Sequence, residues 1–432
     1  MKILTDPRRQ GAVRPPKAAA ISAARGAAFE ILGRVATTSE HSDDLLHGRR
    51  LAGLSQADKN LSTALVLGVL RWQIALDARI RPLLQRPEMK LAQPIEAALR
   101  LGAFQLLHMD RIPAHAALSE SVELVRAAGQ AHAAGMVNAV LRALTRQTPA
   151  GKPLFETTAA VAERLGHPAW LVERWVANYG RAAAISVCEY DQKEPQIGSI
   201  FAFFDANFAR LDDGSRLVAE VAGASVPGAK KIWDCCAAPG GKTVVLAARN
   251  PEAEVLATDV SPRRLKALAE RVKREAPDAR IRTAEADAAA LPESEGLFDL
   301  ILCDVPCSGT GTLARNPEIR HHLRSSDLAR QAERQRALLA GSLKRLAPGG
   351  RLVYSTCSLE PEENEQVVEA VLAESPAVQR VGLEPVVTEL QRSGIVDPAA
   401  NLDGVLRNGT LRTLPGVGFQ GDGFFAAMFT KS

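Results

Sequence analysis

The sequence predicts an all-α domain followed by an α/β domain with a doubly wound, mostly parallel sheet. In the first 150 residues, apolar side chains recur at three- and four-residue spacing, which is typical of packed helices. From about Lys230 onward, short apolar segments alternate with helical segments, as in a parallel sheet covered by helices. A length of 432 residues with 46% hydrophobic and 24% charged residues fits a globular protein of two or three domains.

Composition excludes several classes of protein. The N-terminal stretch MKILTDPRRQ lacks the apolar core of a signal peptide, and we find no apolar run approaching the length of a membrane span. We therefore expect a cytoplasmic protein that does not enter a membrane. The six cysteines are too few and too clustered for a secreted disulfide scaffold, so they are packing residues, ligands or nucleophiles.

The net charge of +4 is unevenly distributed along the chain. Residues 1–150 carry 20 Lys and Arg against 12 Asp and Glu, whereas the remainder carries 33 against 37. A basic helical half next to a near-neutral half fits a module that binds a polyanion such as nucleic acid. A solvated basic surface without such a partner is the alternative.

The first part of the chain divides into a tail and a helical bundle. Residues 1–17 are polar, basic and contain prolines, which predicts a flexible tail. Ser55 followed by Asp58 resembles a capping box at the start of a long helix. That helix carries an apolar stripe, and the region from 18 to about 147 should hold five to seven helices. The stripe consists of Leu61, Leu65, Val69, Trp72 and Leu76.

The second part supplies the sheet. Strands are predicted at KIWDC, EVLATDV, RIRTAEA, FDLILCDV, GRLVYSTC and FFAAMFT. Helices are predicted at TVVLAARN, PRRLKALAERVKREA, SDLARQAERQRALLAGSLKRL and PEENEQVVEAVLAE. Between the two parts, RQTPAGKP is a predicted linker, and GSIFAFF is an apolar run without a firm assignment.

The segment KIWDCCAAPGGKT runs from a strand through a Gly-rich turn into a helix. Glycines let the backbone approach a ligand, and a helix N-terminus offers free N–H groups, so we expect a nucleotide-type pocket. A phosphate-binding loop of an NTPase is the rival interpretation. Gly241, Lys242 and Thr243 fit its end, but Cys236 stands where its first glycine is needed.

Two acidic residues follow the next two strands. Asp259 ends the second strand, 18 positions after Gly241, where a carboxylate can accept hydrogen bonds from ribose hydroxyls. Asp287 follows the third strand and is placed to reach an adenine edge. Either residue alone is an ordinary cap or turn residue, but with the Gly-rich turn they predict an adenosine site.

Two cysteines are predicted at the ends of neighbouring strands. Cys307 follows Pro306 in a Ser/Gly-rich loop after the fourth strand, and Cys357 lies at the tip of the fifth. Cys303, inside the apolar strand, is predicted to be a core residue. We expect no metal, since no C-x₂-C pair is present and His321 and His322 lie in a polar helical setting.

The motifs DCCAAPGGKT, DVPCSGTGT and STCSLEPEENE resemble those of the Sun-type RNA (cytosine-C5)-methyltransferases. The closing stretch RTLPGVGFQGDGFFAAMF is similar to the C-terminal strand pair of that family. The helical part resembles the NusB-like RNA-binding domain of the bacterial 16S ribosomal RNA member. The supporting stretches are LVLGVLRWQIALDARIRPLL, LRLGAFQLLHMDRIPAHAALSESVEL and MVNAVLRAL.

This resemblance implies an organisation and an activity. Residues 18–148 would be the NusB-like domain, 149–222 a shortened connecting segment that faces RNA, and 223–432 a Rossmann-like S-adenosylmethionine-dependent methyltransferase domain. The enzyme would methylate C5 of a cytosine in 16S ribosomal RNA or a small-subunit precursor, as a monomer. The alternatives are a non-catalytic RNA-binding protein that retains the fold, and an enzyme acting on another RNA.

The resemblance also assigns site residues. Cys357 would be the nucleophile that attacks C6 of the cytosine, and Cys307 would assist proton removal and product release. Asp304 would bond the cofactor or the N3/N4 edge of the cytosine. The S-adenosylmethionine site would comprise Cys236, Ala237, Ala238, Pro239, Gly240, Gly241, Lys242, Asp259, Asp287 and Asp304.

Overall fold

A computed structural model describes residues 21–38, 40–147, 156–195, 200–201, 211–402 and 404–432. The predicted tail 1–17, most of the predicted linker and most of the GSIFAFF run lie outside these ranges. The chain divides into two compact units, Met1–Val69 with Leu76–Gly151 and Leu70–Ala75 with Lys152–Ser432.

The described residues between 21 and 147 hold seven α-helices, which agrees with the predicted number. They are α1 (Ala23–Thr37), α2 (Ser42–Leu46), α3 (Arg49–Ala52), α4 (Gln56–Ile80), α5 (Gln93–His108), α6 (Ala114–Ala127) and α7 (Ala134–Leu144). Apolar side chains of the longer helices form the core, among them Ile31, Leu65, Leu101 and Leu141.

Helix α4 begins as predicted but differs from the prediction in two details. Ser55 Oγ accepts a hydrogen bond from the Asp58 N–H at 3.1 Å, whereas the short Asp58 side chain bonds the hydroxyl of Ser55 instead of its backbone. Residues Gln56–Leu83 are also long and apolar enough to cross a membrane on length and composition, contrary to our expectation. Charged residues such as Asp77 interrupt the apolar run and hid this feature. Such a helix is weak evidence for a membrane span, because core helices of soluble proteins can have the same length and composition.

In the second unit, more helices precede the sheet. They are α8 (Thr158–Arg164), α9 (Ala169–Tyr179), α10 (Arg181–Asp191) and α11 (Asp213–Ala224). Trp175 of α9 is fully buried and packs in a cluster with Leu313, Leu359 and Leu414. Helices α8–α10 therefore support the loops that follow the central strands.

Among the described residues, the sheet has nine strands. They are β1 (Lys231–Asp234), β2 (Glu254–Asp259), β3 (Ile281–Glu285), β4 (Phe298–Asp304), β5 (Leu346–Thr356), β6 (Val378–Val381), β7 (Leu406–Arg407), β8 (Thr410–Arg412) and β9 (Phe425–Lys431). Their order is β3-β2-β1-β4-β5-β9-β8-β7, and β6 also pairs with β9. Strands β1 to β5 are parallel, and β9 runs antiparallel to β5.

Helices cover both faces of this sheet, as predicted. The remaining helices are α12 (Gly241–Arg249), α13 (Pro262–Glu275), α14 (Ile319–His322), α15 (Ser325–Leu343), α16 (Glu365–Glu374) and α17 (Glu384–Arg392). Successive strand residues point to opposite faces. Ile232 accordingly packs in the core with residues of α11, α12 and α17, whereas Trp233 packs with residues of α15 and α16. The parallel strands therefore end together at one edge of a buried sheet, which is where ligands bind in such folds.

Candidate active site

The Gly-rich segment forms the turn between β1 and α12. Gly240 caps α12 with a φ of 97°, a backbone conformation that favours glycine. A Cβ there would lie 2.5 Å from Leu268 Cδ1, so a side chain at this position would require Leu268 to shift. The Ala237 N–H donates to the Thr258 carbonyl at 2.8 Å, which ties the turn to β2. The turn is thus fixed at the carboxyl edge of the sheet.

The two predicted acidic residues line one cavity with this turn. The cavity has a volume of about 180 Å³, and its walls include Cys236, Asp259, Asp287, Pro306 and Leu338. Asp259 ends β2 and is buried, while Asp287 caps a short helical turn through a 2.9 Å bond from the Ala289 N–H. The structure therefore brings these residues together as the sequence predicted.

The oxygens of Asp259 have different partners. Oδ1 accepts the Ser261 N–H at 3.0 Å. Oδ2 is buried without a hydrogen bond in the described part of the chain and faces the Arg264 guanidinium at 3.3 Å. That arginine side chain is 49% exposed and also donates to the Ala238 carbonyl at 2.6 Å. An acceptor next to a cavity fits a ribose hydroxyl, and the residues present therefore fit an adenosine group.

A second cavity of about 340 Å³ also has Cys236 in its wall. Lys242 Nζ lies there, 2.7 Å from Asp304 Oδ2, and Asp304 Oδ1 accepts the Ser355 hydroxyl at 2.7 Å. Although burial opposes the charge of Lys242, Asp304 raises the pKa of this ammonium. Burial raises the pKa of Asp234 in the same wall to about 7, against the hydrogen bond from Thr243. More charged side chains line this second cavity than line the first.

The two predicted thiols lie together. Asp304 and Ser355 are register partners at the ends of β4 and β5, and Cys307 and Cys357 follow them. The sulfur atoms of Cys307 and Cys357 are 3.3 Å apart, and both residues are free cysteines. The hydrogen bond with Cys357, burial and the charge of Glu363 raise the pKa of Cys307 well above its ordinary value. Two thiols at this separation can both reach one bound substrate ring.

Cys303, His321 and His322 are not part of this thiol pair. Cys303 is fully buried in β4, which confirms its predicted place in the core. His321 and His322 lie in α14, as the sequence indicated. Within the described ranges, no group of three or more His, Cys, Asp or Glu side chains is arranged to hold a metal ion.

Sequence reasoning missed several residues around the site. Asp212 and Asp422 both pair with Arg315 at the second cavity, at 2.7 and 3.1 Å. Glu363 is fully buried beneath the cysteine loops. A carboxylate in the run EPEENE reads as a solvated helix start, and only the fold shows that Glu363 points inward. Its nearness to a Cys-Ser pair in the sequence was the one available signal.

The sheet order, the turn after β1 and the acidic residue ending β2 together define the class of Rossmann-like methyltransferases. A solved structure described as "Crystal Structure of PH0851" has the same fold, with a TM-score of 0.71 and 21% identity, covering 96% of this chain and all of that one. Family models match at both ends: the NusB family over residues 22–146, and 16S rRNA methyltransferase RsmB/F over residues 226–430.

Two curated relatives carry the same name, ribosomal RNA small subunit methyltransferase B. The protein of Xanthomonas campestris pv. campestris is 36% identical over 76% of this chain and 83% of its own length. The protein of Citrobacter koseri is 32% identical over 88% of this chain and 92% of its own length. The chain belongs to the RsmB/F family of 16S rRNA methyltransferases, with a NusB domain at its N-terminal end. It is an S-adenosylmethionine-dependent rRNA methyltransferase.

Proposed function

We propose that this chain transfers a methyl group from S-adenosylmethionine to C5 of a cytosine in 16S ribosomal RNA, through a covalent bond between Cys357 and C6. The supporting observation is the pair of thiols, 3.3 Å apart at the ends of neighbouring strands. The names of the relatives support ribosomal RNA as the substrate, and the thiol pair supports the chemistry at cytosine C5. Cytosine C5 is a poor nucleophile, and addition of a thiolate to C6 makes it reactive.

The cofactor site is proposed from the two cavities. Residues 236–242 would enclose the cofactor between β1 and α12, Asp259 would accept the ribose hydroxyls, and Asp287 would face the adenine. Asp304, held by Lys242 and Ser355, would bond the cofactor or the N3/N4 edge of the cytosine. When bound, S-adenosylmethionine supplies the methyl group on a positively charged sulfur. Holding C5 in line with that methyl group is the contribution of the protein.

Each thiol has a separate proposed role. Cys357 attacks C6 as a thiolate, and the ammonium of Lys242 lies close enough to interact with its charge. After methyl transfer, the C5 proton is removed, the electron pair of the C5–H bond re-forms the C5–C6 double bond, and Cys357 leaves C6 with the electron pair of the C–S bond. Cys307 assists this step: its thiol, which its raised pKa keeps protonated, gives that proton to the departing Cys357 sulfur 3.3 Å away and accepts the C5 proton in its place. The target base must leave any stack before both faces are accessible.

The first test uses the two serine variants. We expect Cys357→Ser to abolish methylation and to leave no covalent RNA adduct, because a serine hydroxyl is scarcely ionised. Cys307→Ser should permit attack and methyl transfer but stall elimination, so a protein–RNA adduct accumulates and survives a denaturing gel. An adduct in Cys357→Ser with none in Cys307→Ser would exchange the two roles. If both variants lose little activity and trap nothing, the thiols are packing residues.

The second test identifies the RNA. Bisulfite sequencing of total RNA from cells lacking this chain should show one lost 5-methylcytosine in 16S ribosomal RNA. Loss of the signal in another RNA would identify that RNA as the substrate, and an unchanged pattern would favour a non-catalytic RNA-binding role.

The proposed domains are 18–148, 149–222 and 223–432, with 149–222 facing RNA. The enzyme is proposed to act as a monomer in the cytoplasm.

A further inference from the structure

Glu363 ends the short helical turn Pro361–Glu363 that follows the strand bearing Cys357. The side chain is fully buried. Its Oε1 accepts the Ser308 N–H at 2.8 Å and the Gln335 side-chain amide at 2.9 Å. Its Oε2 accepts the hydroxyls of Ser308 and Ser358, the latter at 2.5 Å. A buried carboxylate with these four donors has its lone pairs well satisfied in the ionised form.

These donors come from the residues next to the two thiols. Ser308 follows Cys307, and Ser358 follows Cys357. Gln335 of α15 also donates to the Pro306 carbonyl at 2.9 Å, which fixes the residue before Cys307. The Tyr354 hydroxyl in turn donates to the Glu363 carbonyl at 2.6 Å. One carboxylate thus connects both cysteine loops.

We propose that Glu363 is a positioning residue that holds the Cys307 loop against the Cys357 loop and, by its negative charge, keeps the proton on Cys307. The inference deepens the proposed function and rests on its two-thiol chemistry. A negative charge in a dry site disfavours a second one nearby. Cys357 and Glu363 both disfavour the thiolate form of Cys307. Tyr354 is a further titratable group that faces Cys307. The Gly309 N–H acts in the opposite direction.

The test is site-resolved alkylation of the full chain with iodoacetamide across a pH series, followed by peptide mass spectrometry. Glu363→Gln removes the charge and preserves the shape. We expect the pH midpoint of Cys307 alkylation to fall by at least about one unit. The assay needs neither RNA nor cofactor, so it can fail or succeed independently of the cytosine-C5 proposal.

The control is Glu360→Gln, three residues earlier in the chain. Glu360 is equally buried, but its carboxylate bonds Arg174 and Trp175 and not the cysteine loops. We expect its Cys307 midpoint to match that of the unmodified chain. An unchanged midpoint in Glu363→Gln, or an equal shift in both variants, would overturn the inference.

Buried Cys303 reports on folding in the same digest. If it becomes reactive in Glu363→Gln, the decision passes to Ser308→Ala and Ser358→Ala, which each remove one donor and keep the charge. We expect each to lower methylation turnover about ten-fold with the KM for S-adenosylmethionine unchanged. Unchanged turnover in both would refute the positioning role.

Discussion

Two carboxylates at this site differ in how their oxygens are bonded. Asp259 uses Oδ1 to fix the start of α13 through Ser261, while Oδ2 is left with an exposed arginine as its partner. Asp304 instead has both oxygens occupied, by Lys242 and Ser355. The first arrangement suits an acceptor for a ligand, and the second suits a group whose orientation must not change.

Replacing Asp259 with alanine should therefore weaken cofactor binding without unfolding the protein. Loss of a hydrogen bond from ribose to a carboxylate costs roughly 1–3 kcal/mol, which is about a 5- to 150-fold rise in Kd. Isothermal titration calorimetry with S-adenosylmethionine measures it. The exposed Asp278→Ala is the matched control, because Asp278 lies outside both cavities. Equal affinities in both variants would remove Asp259 from the site.

Asp234 predicts a pH dependence of stability. Its pKa is raised from the ordinary value to about 7, so between about pH 4 and 7 the folded state binds more protons than the unfolded state. Stability contributed by this group is present at low pH and is lost as the pH rises through this window. Asp234→Asn keeps an acceptor for Thr243 and removes the titration. We expect its Tm, relative to the unmodified chain, to rise between pH 5 and 8.

The comparison is made by calorimetry at several pH values. Asp278→Asn, at an exposed position, should show a constant difference from the unmodified chain. A constant difference for Asp234→Asn as well would contradict the assignment.

At the scale of elements, the turn between β1 and α12 decides where the proposed cofactor cavity lies. Gly240 has both a positive φ and a close approach to Leu268 of α13, so the turn and the helix after β2 constrain one another. The long strand β5 has a similar role for the thiols, since its register with β4 places Ser355 opposite Asp304. Local backbone geometry and strand register together set the distances in the site.

Gly240→Ala should lower both stability and cofactor affinity. The positive φ costs an alanine about 1 kcal/mol, and the close approach of Leu268 adds to that cost. Gly228→Ala separates the cost of the positive φ from the cost of the close contact. Gly228 has a φ of 76° but no atom within 4 Å of the position that an added Cβ would take. We expect Gly240→Ala to lower the Tm more than Gly228→Ala. A smaller or equal effect would mean that Leu268 moves aside freely.

At the scale of the whole molecule, the charge division along the chain predicts which unit supplies RNA affinity. The basic N-terminal unit should contribute by binding phosphates, and such binding weakens steeply with salt. Reversing exposed basic residues there should make the salt dependence of 16S ribosomal RNA binding shallower, by roughly one unit of slope for each phosphate that is no longer bound. The residues to reverse together are Arg86, Lys90, Arg111 and Arg142.

The control reverses the same number of exposed charges in the second unit and is measured in the full chain by filter binding between low and high salt. Those residues are Lys273, Arg280, Lys344 and Arg380. We expect the first variant to lose more affinity and more slope than the second. The same loss of affinity and slope in both variants would assign the effect to net charge. A greater loss in the second variant would assign most of the RNA binding to the catalytic unit.

The sequence by itself determined the order of the two domains, the parallel strands, the Gly-rich turn and the pair of cysteines. These features depend on local signals: apolar periodicity, glycines in a turn, and short motifs at strand ends. Tertiary structure alone decided that the sulfurs of Cys307 and Cys357 lie 3.3 Å apart, that Lys242 pairs with Asp304, and that Glu363 is buried. Such arrangements join residues 50 and 62 positions apart or point a charged side chain inward. Both outcomes follow from strand register and packing, which no local pattern encodes.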